Sequence, residues 1–204
     1  MSITKDQLKE SNPFVDVATH LFLEDIADKQ GAAGLNNYLM SLATSLAKSM
    51  PKEEYKTWDE FLESLKNGQS ILSAFETIET PTKNCVVNPV CPFSRGWIEY
   101  SKRIGSFSQI HTDVAEYYNS TVKPAAINSM CIIHQTFRIA AADRIKVAGK
   151  SLKVAQIAAI WSDGDKKIVP NEWKDIVLQK AGISNTNLNM ILRNNACVWV
   201  VYID

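Results

Sequence analysis

Five of the seven cysteines and histidines in this 204-residue chain fall between residues 85 and 134: Cys85, Cys91, His111, Cys131 and His134. Only His20 and Cys197 lie outside. Thiolates and imidazoles are the common soft metal ligands, and they are also the nucleophiles and bases that work near pH 7. Cys91 is followed by Pro92, and a proline at the first helical position would place Cys91 at the N-cap. Unpaired backbone N–H groups and the positive end of the helix dipole stabilise a thiolate there. The same residues also fit a small buried cysteine in an Asn88–Pro92 turn.

A helix from Pro124 to Lys146 would line up Ile127, Cys131, His134, Arg138, Ala141 and Ile145 on one face. A strand would separate Cys131 from His134 and align His134, Thr136 and Arg138 instead. Either way His134 stays near Arg138. A guanidinium there suits a carboxylate or a similar anion, which it can grip with two parallel hydrogen bonds.

Two chemistries follow. The first is a cysteine/histidine enzyme, a hydrolase or transferase acting on a small organic molecule. Cys91 is its activated thiol, His134 or His111 the base, and Arg138 and Cys131 contact the substrate. The second is a non-catalytic sensor or binding domain that holds a small ligand, or zinc or iron, in the same pocket. Cys91, His111, Cys131 and His134 are the candidate metal ligands, although their spacing matches no zinc ribbon or finger. A module whose cysteines and histidines are plain core satisfies the same pattern.

Composition narrows the partners. Twenty-two Lys and Arg balance twenty-two Asp and Glu, so no net field steers the chain to nucleic acid or anionic lipid. Walker, GxGxxG, HExxH, CxxC and GxSxG patterns are all missing from the sequence, which disfavours the enzymes built on them. A polar N-terminus and the lack of a long apolar run lead us to expect a cytoplasmic chain with reduced cysteines. The expected partners are a small-molecule ligand or substrate and a possible second copy of the chain, with neither nucleic acid nor membrane.

The positioning elements read as α+β and predominantly helical, with a small sheet that includes the C-terminal strand. Residues 1–204 form a single domain in this reading: N-terminal helices over 1–68, then a helical core with the sheet and the candidate site over 69–204. Asn12-Pro13 opens a helix with Phe14, Val17, Ala18 and Leu21 in register. Gly31 and Gly34 punctuate it before a second stripe of Leu39, Leu42, Ala43 and Leu46. Thr57 caps a third helix, which Asn67-Gly68 stops. One or two strands are expected over 71–87. Cys197–Ile203 is apolar on both parities, as in a strand covered on both faces. Further helices are expected over 92–104, 107–118, 151–161, 172–181 and 187–193. The stretch Trp161–Glu172 resembles a worn EF-hand loop, with Asp163, Asp165, Ile168 and Glu172 at loop positions three, five, eight and twelve. It also resembles the turn of a TerB-like helical hairpin, a likeness that covers under thirty residues and implies no activity; a simple turn connecting two helices is the favoured reading.

Overall fold

The computed structural model describes residues 13–73, 79–82, 85–88, 109–122, 129–160, 167–168, 178–180, 182–192 and 197–203. The elements run α1 (Pro13–Ser49), β1 (Glu53–Tyr55), α2 (Trp58–Lys66), a 3-10 turn (Ile71–Ser73), β2 (Glu79–Thr82) and β3 (Cys85–Asn88). They continue with α3 (Gln109–Val122), α4 (Ser129–Ala142), β4 (Ile145–Val147), β5 (Lys150–Ile160), β6 (Lys167–Ile168), α5 (Asn185–Leu192) and β7 (Cys197–Ile203). The class is α+β with more helix than strand, and the C-terminal strand sits inside the sheet.

Helix α1 is two helices joined at Gly31, whose φ of 70° and ψ of 178° are not helical. Only glycine adopts that conformation without strain. A straight helix would hold residues 22 and 38 about 24 Å apart. Their rings instead meet edge to face at 6.3 Å, so the two arms fold back as an antiparallel hairpin. The hairpin packs on α3 and α4. Leu23, Ile26, Ala27, Leu35 and Leu39 from α1 form one core with Val114, Ala115 and Tyr118 from α3 and Ile132 from α4.

The sheet order is β1-β4-β5-β7-β3-β2, with β6 also on β5. β1 runs parallel to β4, and the remaining pairs are antiparallel. β7 lies between β5 and β3, with Trp199 opposite both Gln156 and Val86. Its residues Cys197 to Val201 are all buried, on both parities. Trp199 and Val201 join Phe137, Ala141 and Ala142 of α4 in a second core, which also draws in Ala43, Ala47, Phe61 and Leu65. Tyr202 has the other parity and carries the Lys180 ammonium 5.6 Å from its ring. Helices α2 and α4 and the second arm of α1 therefore pack against one face of the sheet, and the segment 178–180 lies on the other.

Two expected helices need correction. Residues 151–161 do not form a helix: β5 occupies Lys150–Ile160 and pairs with β4, β6 and β7. Its alanines suit a helix by intrinsic preference. However, the strand is buried on both sides at its centre, which hides the two-residue alternation. A strand therefore stands where the hairpin likeness needs its first helix, while 161–166 and 169–172 of the loop lie outside the described residues. Likewise α4 stops at Ala142, and Ile145 is in β4. Ala148 and Gly149, with φ of 51° and 75°, form the tight turn between β4 and β5. Positive φ at both central residues matches the twist of a two-residue hairpin. Gly149 therefore turns a hairpin.

Other expectations hold. The Thr57 side chain accepts from the Glu60 backbone N–H, and Asn67 caps the other end of α2. Helix α3 covers much of the 107–118 prediction, α5 that of 187–193, and β2 and β3 supply the strands expected before residue 88. β1 was not anticipated. The predicted helix over 92–104 lies outside the described residues, as does most of that over 172–181.

Candidate functional site

Helix α4 is the positioning element. Arg144, just past its end, donates from Nε (2.9 Å) and Nη2 (2.6 Å) to the Met50 carbonyl at the end of α1. Midway along, the Thr136 and Tyr118 hydroxyls hydrogen-bond at 3.1 Å and tie α4 to α3. Burial holds the Tyr118 phenol above its ordinary pKa of 10.0; the Thr136 bond opposes this, and nearby Cys131 adds to it.

Cys131, His134 and Arg138 occupy positions i, i+3 and i+7 of α4, on one stripe. Burial deepens along it: Cys131 and His134 are partly buried, and Arg138 is 1% exposed. The Cys131 end packs against the α1/α3 core. At the other end the Arg138 guanidinium lies over the Trp199 ring, 4.2 Å from its centroid. Its Nη1 stands 3.9 Å from Cys197 Sγ. Gln156, 6% exposed, is Trp199's cross-strand neighbour and shares its side of the sheet. A guanidinium is always charged and carries five donors in a rigid fork. A permanent cation thus sits between helix and sheet, with an aromatic ring beneath it and a thiol beside it.

The sequence placed His134 and Arg138 on one helical face, and the structure agrees. Cys91 lies outside the described residues. The backbone places His111 in the first turn of α3 and Cys85 in β3, opposite Val200. Cys131 and Cys197 are thiols and not half-cystines. Among the described residues, no three His, Cys, Asp or Glu side chains gather as metal ligands. Two residues were missed as partners of Arg138, namely Cys197 and Trp199. The usable signal was parity, because positions 197, 199 and 201 share one face of a strand.

A second polar cluster joins α2 to the sheet edge. The Glu53 carboxylate accepts from the Tyr55 hydroxyl (2.8 Å), the Ser70 hydroxyl (2.9 Å) and the Ile71 backbone N–H (2.7 Å). Tyr55 also meets Ser64 Oγ at 2.8 Å. Beside it a cleft of about 270 Å³ is lined by Lys52, Glu53, Glu54, Asp143, Arg144 and Lys146. Glu53 and Arg144 both hold elements together there, and the lining is balanced in charge. We read this cleft as a structural joint. Among the described residues, no helix is long and apolar enough to cross a membrane. Comparison with protein-family models, with curated proteins and with solved structures gives no match for this chain.

Proposed function

We propose that this chain is an enzyme acting on a small organic acid bound along the inner stripe of α4. Arg138 anchors the acid's carboxylate, Cys131 contacts the ligand, and His134 donates or accepts the proton. Cys91 supplies the thiol, with His111 as the other candidate imidazole. The observation that carries this reading is Arg138 itself. A fixed cation 1% exposed, laid on Trp199, with a partly buried imidazole one turn away, is a costly arrangement for packing alone. It suits planar, two-point recognition of a carboxylate.

The second reading is a binding domain without chemistry, using the same stripe. It is favoured by the Trp199 ring and the Cys197 thiol set against the Arg138 guanidinium, an arrangement that can hold an anion without reacting with it.

Calorimetric titration with small mono- and dicarboxylates tests both. Saturable binding is expected, weakened at least about tenfold in Arg138→Lys, which keeps the charge but loses the fork. No carboxylate binding would sink both readings. The alkylation rate of Cys91 against pH then separates them. An enzyme requires a midpoint below the ordinary thiol value of about 8.5. A slow, unshifted Cys91 leaves the binding domain.

A further inference from the structure

Among the described residues, the α1 hairpin presents an exposed apolar row. Leu21, Phe22, Tyr38, Leu42 and Leu46 are 39–54% exposed. Tyr38, Leu42 and Leu46 repeat every four residues along the second arm, and Phe22 of the first arm packs against Tyr38. Gly31 makes this possible by bringing the two arms side by side. We propose that this face binds the same face of a second copy of the chain, about a two-fold axis near Leu42.

Three observations select a second copy. The first is area. Side chains of this kind offer on the order of 200 Å² each, so at 39–54% exposure the five present about 450 Å². That falls within the ~300–600 Å² of the largest patch on a typical monomer, which is often functional. It makes up roughly half of the ~800 Å² each partner buries in a standard interface, the remainder being polar rim.

The second is shape. Residues at i, i+4 and i+8 make the ridge that interdigitates with an identical ridge, the commonest packing of two helices. A two-fold interface must be self-complementary in this way.

The third is charge. The chain carries no net charge, so two copies do not repel. Near the hairpin turn stand exposed Asp25 and Asp28, with Lys29 paired to Asp25 at 2.6 Å. Exposed Lys48 closes the other end of α1. An antiparallel pair of hairpins sets the Asp28 end of each copy against the Lys48 end of the other. Leu42 lies halfway between Tyr38 and Leu46, so it falls near the axis and meets its own counterpart.

Sedimentation equilibrium of the full chain at micromolar concentration tests this. The expected result is twice the chain mass for the native protein and the chain mass for Leu42→Glu, whose dimer dissociates at least about 100-fold more readily. Circular dichroism and the thermal midpoint of the dissociated form should remain those of a folded chain, because residue 42 is 47% exposed. Leu42→Cys should cross-link to itself under mild oxidation, above the background set by the native thiols, and Asp59→Cys should not. A native protein that is monomeric throughout overturns the proposal. So does a dimer that survives Leu42→Glu and does not cross-link at residue 42. Binding of monomers to phosphatidylcholine vesicles, lost in Leu42→Glu, would overturn it too and assign the face to lipid.

Discussion

Glu53 holds the edge of the sheet to the helix that follows it, and its removal has a graded, calculable effect. Its carboxylate accepts three hydrogen bonds, from Tyr55, Ser70 and the Ile71 backbone. Bonds to a charged group contribute about 1.5–3 kcal/mol each when buried. Glu53 is only partly buried, so water recovers some of this, and Glu53→Ala should cost about 3 kcal/mol. Glu53→Gln should cost less. Its amide oxygen can still accept from Ile71, and its NH2 can donate to the two hydroxyls if both rotate, which turns charged bonds into neutral ones at about 1–2 kcal/mol in all. Tyr55→Phe removes the bonds to Glu53 and Ser64 and should cost about 1 kcal/mol. Because Tyr55 and Glu53 touch, the double variant should fall short of the summed single losses by about 1 kcal/mol. Urea unfolding provides the measurement, and the dependence on urea should not change, since the surface exposed on unfolding is the same. A Glu53→Ala protein within about 0.5 kcal/mol of native, the range of an ordinary surface change, would refute the network's role.

Three further outcomes follow from local geometry. Ala148→Asn in the β4–β5 turn should stabilise the protein by about 0.5–1 kcal/mol, because φ is 51° there and asparagine tolerates positive φ better than alanine; urea midpoints would register it, and a loss would mean the turn has another geometry. Gly31→Ala should cost about 1–3 kcal/mol, visible as a thermal midpoint lower by several degrees. An added Cβ meets nothing within 4 Å at that site, so the whole loss is torsional, and an unchanged midpoint would contradict the hairpin. Burial holds both the Tyr55 and Tyr118 phenols above 10.0, with Glu53 adding to the first and Cys131 to the second. A raised folded pKa favours the neutral phenol in the native state. This contribution is complete below pH 10 and lost as pH rises through the folded values. Unfolding free energy measured from pH 8 upward should therefore decline at the alkaline end, and Tyr55→Phe and Tyr118→Phe should each flatten that decline. Parallel curves would refute it.

How much of the fold the sequence disclosed depends on where each element's partners lie. Thr57, Asn67 and the stripe of α2 act within one turn of chain, so their signals are local and were read correctly. β7 was legible because it is apolar on both parities, and it is indeed buried on both. β5 misled because its central residues are also buried on both sides, yet its alanines favour a helix. β1 has three residues and gains its identity from parallel pairing with β4, about ninety residues later, so nothing local announces it. The hairpin in α1 was half visible. Gly31 marked the break, but the direction of the turn is a φ/ψ value, which composition does not encode.

The candidate site follows the same rule, and this bears on what Arg138 is for. His134 and Arg138 are one helical turn apart, so the pattern of α4 was enough to align them. Cys197 and Trp199 approach Arg138 from a strand some sixty residues further on. An arginine amid Ile132, Ile133, Phe137 and Ile139 could have pointed outward, as arginine commonly does. What turns it inward is the packing of α4 on β7, where Phe137 and Ala141 join Trp199 and Val201. The guanidinium is consequently held by the same contacts that build the core, with its Cζ 4.2 Å from the indole centroid. Such a cation is already ordered before any anion arrives, which lowers the entropic penalty of binding. A lysine in its place would keep the charge but neither the plane nor the fork. The comparison of Arg138→Lys with the native protein therefore probes the plane and the fork of donors with the charge held. Loss of carboxylate affinity with the charge retained would separate a site from a charged side chain that merely packs.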